Sequence, residues 1–444
     1  MSTHTQILAS LYQRWPEHRI GPTLTRISAL MNLLGDPQHA APMIHITGTN
    51  GKGSTAIIID ALLRAQGLRT GLFLSPHLAD PCERINVDGQ PISPETFDQV
   101  WTEIEPFVAM VDSQLIDGIE MTFFEVMTAM AYACFADAPV DVMVIEVGMG
   151  GSWDATNVGD GQVCVFTPIA MDHVNYLGDS LDLIATEKAG IIKPKSHVVL
   201  AGQEPEVAKI LLARCKELGV AASKEGEDFS LIDRRMAVGG QVIRLEAGAG
   251  PIGDLFLPLY GAGMAHNAVL AVAAVEAFDG MRGLDPGVIE DGFAEVRAPA
   301  RTERVHVSPP IVIDTCHNPA AVTAVLDTMD EAYAFSPQIA VWGMMADKDI
   351  NTILALLEPR VSTLVITQAR SPRAMSAKDL GERAFSFFDV DRVVVRPLLA
   401  DAIDTAAQLA DEAGRGAGIL IAGSAVLAGQ ARTMLKPTID DQAT

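Results

Sequence analysis

Cations are scarce in this 444-residue chain. Lys plus Arg number 32 against 56 Asp plus Glu, a formal net charge of −24. That imbalance argues against a nucleic-acid binder, because a phosphate backbone is gripped by a basic face. It leaves small anionic substrates open, since these need only local positive charge. Cysteine is sparse too: Cys82, Cys134, Cys164, Cys215 and Cys316 are scattered, with no CxxC pair and no zinc spacing. This excludes a disulfide framework and fits the reduced thiols of a cytoplasmic protein. No apolar run reaches the roughly 18 residues that span a bilayer. Residues 1–20 lack a basic stretch followed by an apolar one, so no signal peptide is expected. Repeats and low-complexity tracts are missing as well. What is there, 49% hydrophobic and 20% charged residues, is an ordinary globular balance, and the length suggests two or three domains.

The dominant rhythm is a short β-branched run followed by an amphipathic helix. Strands are expected at 43–47, 68–74, 140–147, 162–169 and 197–201, a helix at 54–66, and another opening at Ser93-Pro94 with serine as cap. Such alternation implies a parallel sheet covered by helices on both faces. Residues 228–259 change to glycine-rich strand-like pieces, read as antiparallel hairpins, and helices follow at 265–278 and 286–295. The Pro-interrupted stretch 297–301 reads as a linker. Beyond it strands recur at 311–315, 339–345, 363–367, 392–396 and 418–423, and the polar tail 437–444 is expected to fray.

The strongest chemical signal is the segment from His45 to Thr55, HITGTNGKGST. A strand runs into three glycines, a lysine and a hydroxyl pair, then a helix. Glycines let backbone N–H groups turn inward around phosphate oxygens, and a helix N-terminus adds partial positive charge. Thr49, Asn50, Gly51, Lys52, Gly53, Ser54 and Thr55 are therefore candidate nucleotide contacts, with Lys52 reaching the β- and γ-phosphates and a hydroxyl of Ser54 or Thr55 on Mg²⁺. The strict Walker spacing fails, because Gly53 lies between Lys52 and Ser54. Glu146 ends a buried strand, at the edge where α/β sheets bind ligands. A dinucleotide reading of the glycines after it fails, because Trp153 stands where the third glycine should be. The expected fold class is α/β: a mostly parallel sheet domain of P-loop type with a small antiparallel part (1–296), the linker 297–301, then a smaller Rossmann-like α/β domain (302–444).

TGTNGKGST resembles the nucleotide loop of the Mur ligase superfamily, whose variant carries this extra glycine. Within it the chain resembles the folylpolyglutamate synthase/dihydrofolate synthase family, from about Gly21 to Gly423. The motifs that carry the resemblance are GPTL (21–24), SPHL and ERI (75–78, 83–85), TFFE (122–125), GGSWDATN (150–157), DHVNYLG (172–178), EKAGI (187–191), LYGAGMAHNA (259–268), RAPAR (297–301), DTCHNP (314–319) and DKD (347–349). The resemblance implies ATP and two Mg²⁺ ions, with Ser54, Ser75, Glu146 and His173 as metal ligands; oxygen plus one imidazole suits Mg²⁺ better than zinc. It implies that Lys188 is carbamylated and helps to hold the second metal; without that, Lys188 is a helix-terminal lysine complementing the dipole. Pro22, Thr23, Thr122, Phe123, Phe124, Glu125, Trp153, Asp154 and Ala155 fall on the pterin side, although Ser75 also reads as a turn cap and Phe123 as core. Asn267 falls on adenine, Arg301 on phosphate, Asp314 on ribose, and His317 beside the glutamate and phosphate. The chain departs from the family at Ser152, where arginine is common, at Gly263-Met264, where His-Gln is usual, and at Pro299-Ala300, where Pro-Gly is usual.

The activity so implied is ATP-dependent addition of L-glutamate to dihydropteroate or to reduced folates. A carboxylate must first be phosphorylated, because hydroxide is a poor leaving group. Lys52, Lys188 and His317 are the candidate catalytic groups. No nucleic-acid or membrane partner is expected, and a monomer is. Two alternatives stand beside this reading. One is a Mur-type amino-acid ligase on a non-folate carboxylate, against whose peptidoglycan form only 47 residues precede Gly48. The other is a nucleotide-binding regulator without ligase chemistry, which would have no use for a Ser75, Glu146, His173 and Lys188 cluster.

Overall fold

The computed structural model describes residues 3–15, 21–248 and 250–435; the polar tail lies outside them. Its frame is an eight-stranded sheet made of β1 (Met43–Thr47), β2 (Thr70–Phe73), β3 (Ile85–Val87), β4 (Gln90–Pro91), β5 (Val142–Glu146), β6 (Gly161–Phe166), β7 (His197–Leu200) and β8 (Ala222–Lys224). The order is β4-β3-β2-β5-β1-β6-β7-β8. Six strands run parallel, as the sequence rhythm implies. β3 and β4 are an antiparallel extension at one edge, too short to show an alternation pattern in the sequence. β1 lies between β5 and β6, pairing Ile46 with Glu146 and Thr47 with Phe166. The strand order reverses there, so the loops leaving these three strands open a crevice at their carboxyl ends.

Both faces of this sheet are covered. Ile44 and Ile46 of β1 face a core built with helices Lys52–Ala65, Ala262–Phe278 and Pro286–Glu295. Met43, one residue out of phase, faces the other side and joins helices Thr3–Tyr12, Thr25–Leu33, Pro94–Asp112 and Phe123–Asp137. The period of two along a strand assigns each residue to its layer. Helix Ala262–Phe278 is buried on nearly every side, because β9 (Ser230–Ala237), β10 (Gly240–Ala247) and β11 (Gly250–Leu257) cover it. These three strands form the antiparallel meander expected from the glycine-rich stretch.

The second α/β domain repeats the logic. Its six strands are β12 (Glu303–Val307), β13 (Pro310–Ile313), β14 (Gln338–Trp342), β15 (Thr363–Ile366), β16 (Val393–Val395) and β17 (Gly418–Ala422), in the order β12-β13-β17-β14-β15-β16. All pair in parallel except β12, which turns back on β13. Ala340 and Trp342 face one core, and Ile339 and Val341 the other. Helix Ala425–Leu435 of this domain touches the first: a Cβ on Gly429 would lie 2.0 Å from the carbonyl oxygen of Leu78. That approach has no room for a methyl group. Gly429→Ala is expected to push helix and loop apart and to destabilise the chain by about 1–3 kcal/mol, the usual cost of overpacking, read as a lower urea midpoint.

Candidate functional site

β1 delivers the chain into the glycine-rich turn. Gly48 has φ +145° and Gly51 φ +89°. A Cβ would stand 1.9 Å from Thr167 Oγ1 at Gly48 and 2.7 Å from Asn267 Oδ1 at Gly51, so conformation and space both require glycine. Thr49 pins the turn to the exit of β6: its N–H donates to the Pro168 carbonyl, and its hydroxyl exchanges hydrogen bonds with the Ala170 backbone, each 3.0 Å. The helix starts at Lys52, two residues earlier than the sequence pattern suggests. Lys52 Nζ folds back to donate to the carbonyls of Gly48 and Thr49, both at 3.2 Å. Buried Lys188 donates to the same Gly48 carbonyl at 2.8 Å. Burial, and then the nearby Lys52 charge, pull the Lys188 pKa down to about 7. Burial also lowers that of Lys52, against the pull of Glu146 and Asp172.

The acidic side faces these cations. Glu146, at the end of β5, accepts the Ser75 N–H at 2.8 Å. A Cβ on Gly53 would stand 3.4 Å from both its carboxylate oxygens and 3.6 Å from Arg301 Nη2, so the loop, Glu146 and the arginine of the second domain converge. Burial raises the Glu146 pKa, partly offset by Lys52, the Ser75 N–H and Arg301. Ser54 lines the cavity here, whereas Thr55 is buried with its hydroxyl lacking a partner among the described residues. Of the two hydroxyls the sequence offers, Ser54 is the one on the cavity wall. Arg301 sits between Ala300 (φ +52°) and Thr302 (φ +50°), a strained corner. Asp314 clamps it by accepting the N–H groups of Thr302 and Cys316, each at 2.7 Å. Glu303 accepts that of Ala300 at 2.7 Å.

His173 and Asp172 follow β6. Burial, with the nearby Lys348 and Lys52 charges, holds His173 at about 3 against the pull of Asp172, so its imidazole is neutral and has a lone pair to offer. Asp172 is the residue that sequence reasoning passed over. Lys348 Nζ lies 2.7 Å from its Oδ1; Asn318 Nδ2 at 3.3 Å and His317 Nε2 at 3.5 Å approach its Oδ2. Burial alone would favour the neutral acid, but the hydrogen bond from His317 and the Lys348 charge outweigh it and hold Asp172 well below the carboxylate range. Asn50 and Asn318 exchange amide hydrogen bonds of 2.9 and 3.3 Å across the same gap. The available signal was positional: Asp172 and Lys348 each follow a buried strand's carboxyl end. Their pairing across two sheets left no trace in spacing.

The substrate-side candidates divide. Thr23, Thr122, Phe124, Glu125, Trp153, Asp154 and Ala155 line the cavity; Pro22 and Phe123 do not. Phe123 is stacked on Tyr12 (centroids 5.4 Å) with the Arg84 guanidinium 5.3 Å from its ring, and belongs to the core. Glu125 and Thr122 form a reciprocal cap on helix Phe123–Asp137, and Glu125 also pairs with buried Arg26 at 3.1 Å. Asp154 accepts from Met149 N–H and from Thr156 N–H and hydroxyl. Ser152, where the related family often has arginine, donates its hydroxyl to Glu187 at 2.6 Å, next to Lys188.

One cavity of about 1050 Å³ is lined by both domains, with Asn267, Arg301, Asp314 and His317 on its wall. The Mur ligase middle domain family matches residues 46–275, and the Mur ligase glutamate ligase domain family residues 300–425. The dihydrofolate synthase/folylpolyglutamate synthase of Mycobacterium tuberculosis is 47% identical over 97% of this chain and 93% of its own. The chain belongs to the dihydrofolate synthase/folylpolyglutamate synthase family of Mur ligases. The Mycobacterium tuberculosis folylpolyglutamate synthase complexed with ADP superposes with a TM-score of 0.94, covering 98% of this chain and 99% of that one. An FPGS–AMPPCP–folate complex, 30% identical, gives 0.81 over 97% and 99%. Against this family frame, the Met264 departure is accommodated: its sulfur lies 3.9 Å from Asn267 Nδ2, and Gly263 leaves open space.

Because Glu125 both caps a helix and neutralises a fully buried guanidinium, Glu125→Ala is expected to cost about 3–5 kcal/mol of stability. Urea unfolding of the variant checks this before any effect on substrate binding is assigned.

Proposed function

We propose that this chain is an ATP-dependent ligase that joins L-glutamate to dihydropteroate and to reduced folates through an acyl phosphate. The observation that carries the reading is the convergence of Lys52, Lys188 and Arg301 from two domains on one cavity, opposite Glu146 and beside a glycine-rich loop. Relatives complexed with ADP, and with AMPPCP and folate, support it.

In this reading the pterin end lies among Phe124, Trp153 and Ala155, and the carboxylate reaches toward the loop. The carboxylate oxygen attacks the γ-phosphorus of ATP, the bond to the β-phosphate oxygen breaks, and ADP leaves. Both reactants are anions. Lys52 swings from its loop carbonyls to the phosphates, and Arg301, whose guanidinium has no hydrogen-bond partner among the described residues, meets them from the second domain. The amine of glutamate, once deprotonated, adds to the acyl carbon, and the tetrahedral intermediate expels phosphate. His317, fixed by the Thr315 carbonyl at 3.0 Å, orients the amino acid. The Asp172–Lys348 and Asn50–Asn318 contacts keep the domains together so that water is excluded from the acyl phosphate.

The donor set fits Mg²⁺: Ser54 hydroxyl, Ser75, the Glu146 carboxylate and neutral His173 line the same cavity, and Mg²⁺ binds through few protein oxygens plus phosphates. When bound, it supplies charge neutralisation at the phosphate oxygens. Lys188, buried and with a pKa near 7, offers the uncharged amine that CO₂ carbamylates, which supports a carboxylate at that position. Five free cysteines suit the cytoplasm. We place the domain boundary at 297–301, between helix Pro286–Glu295 and β12.

Incubation with ATP, Mg²⁺, glutamate and dihydropteroate, then with tetrahydrofolate, is expected to yield products one glutamyl unit heavier with stoichiometric ADP. Nucleotide binding without product would refute the ligase. Lys52→Ala is expected to lower kcat/KM by about 10²–10³-fold, the scale of one lost transition-state donor. Under ¹³CO₂ a carbamate carbon resonance is expected that is absent in Lys188→Arg and grows as pH rises through about 7.

A further inference from the structure

Away from the cavity, a second group of ligating side chains is assembled that the ligase chemistry does not use. Helix Thr3–Tyr12 packs on helix Pro94–Asp112, and the His4 ring stands edge-on to Phe97, with centroids 5.5 Å apart and planes at 84°. His4 Nδ1 is held by Asp98 Oδ1 at 2.6 Å. With a carboxylate accepting there, Nδ1 carries the proton and Nε2 the lone pair. Nε2 is buried and has no hydrogen-bond partner. Beside the ring, the turn at Pro81–Arg84 brings up Asp80 and Cys82. A His4 ring nitrogen, an Asp80 carboxylate oxygen and the Cys82 sulfur all lie within 4.8 Å of one another, the one such His/Cys/Asp/Glu group among the described residues. The turn is itself fixed: Asp80 Oδ1 accepts the Cys82 N–H at 2.8 Å, and Glu83 accepts the Asp80 N–H at 3.1 Å.

We propose that His4, Asp80 and Cys82 bind one zinc-type divalent transition-metal ion, with Asp98 as the outer partner that orients the imidazole. The donor set decides the class. Imidazole nitrogen, thiolate and one carboxylate oxygen suit Zn²⁺ or Co²⁺, and a thiolate is foreign to Mg²⁺ and Ca²⁺. Bonds of about 2.0–2.3 Å in a tetrahedron put donors about 3.5 Å apart, so the three groups close by about an ångström. A carboxylate on the far nitrogen of a ligating histidine is the usual supporting arrangement. Three protein ligands leave the fourth tetrahedral position to a water. On binding, the Cys82 S–H bond is replaced by a sulfur–metal bond and the proton leaves to solvent. The ion would tie the first helix to the segment between β2 and β3, which also presents Ser75. None of the three ligands lines the catalytic cavity, so the site stands apart from the nucleotide metal.

The full chain, stripped with EDTA, would be titrated with Co²⁺. Expected are one equivalent bound, the visible bands of a tetrahedral ion, a near-ultraviolet thiolate-to-cobalt band, and displacement by Zn²⁺ with a rise in Tm. Cys82→Ser should lose the thiolate band. Asp98→Asn should keep it at saturation but weaken affinity about 10–100-fold. If Cys82→Ser does not fold, His4→Gln, with the thiol intact, should lose tight binding and the Zn²⁺ effect on Tm. Cobalt taken up without a thiolate band, or a band unchanged in Cys82→Ser and in His4→Gln, overturns the proposal.

Discussion

A partly buried carboxylate, Asp172, is the hub of the polar contacts between the two domains. It leaves the first sheet with the β6 loop and is met by Lys348, Asn318 and His317, all from the second domain. Desolvating a carboxylate is costly unless opposite charge and hydrogen bonds surround it. Its charge is therefore supported chiefly by groups of the second domain. The same geometry makes the cavity, because the walls that carry Arg301, Asp314 and His317 are brought opposite the glycine-rich loop by this contact and by the Asn50–Asn318 exchange.

Charge is also arranged within the first domain so that like meets like only through a buffer. Lys52 and Lys188 share one carbonyl, that of Gly48, and face Glu146, Asp154 and Asp172 at longer range. Burial disfavours every one of these ions, lowering the lysines and raising Glu146 and Asp154. A site held in this condition gains from the arrival of triphosphate and cation, which supply the missing counter-charges. The chain's net acidity does not oppose this, since Lys52, Lys188, Arg301 and Lys348 line the cavity.

The corner at 300–302 shows how a sequence departure is absorbed. Ala300 occupies a left-handed conformation in which glycine would be unstrained. Asp314 and Glu303 accept hydrogen bonds from both sides of the corner, and Glu303 is itself held by Arg432 at 2.8 Å. The conformation that aims Arg301 into the cavity is thus maintained by its neighbours rather than by the residue at the bend. Ser152 is absorbed in a similar way, its hydroxyl satisfying Glu187 beside Lys188.

Periodicity and motif order were enough to establish the alternating α/β architecture, the meander, the glycine-rich turn and the family, because each is encoded within a few consecutive residues. HITGTNGKGST carries its strand, its turn and its helix start in eleven positions. Short edge strands such as β3 and β4 carry too few residues for a period to show. Tertiary structure alone decided which motif residues face the cavity: Phe124 does and its neighbour Phe123 does not, since adjacent positions on a helix point in different directions. It alone joined Asp172 to Lys348, 176 positions away. It alone gathered His4, Asp80 and Cys82, which no zinc-like spacing announced, because a ligand set drawn from a helix and a distant turn exists only once the chain has packed.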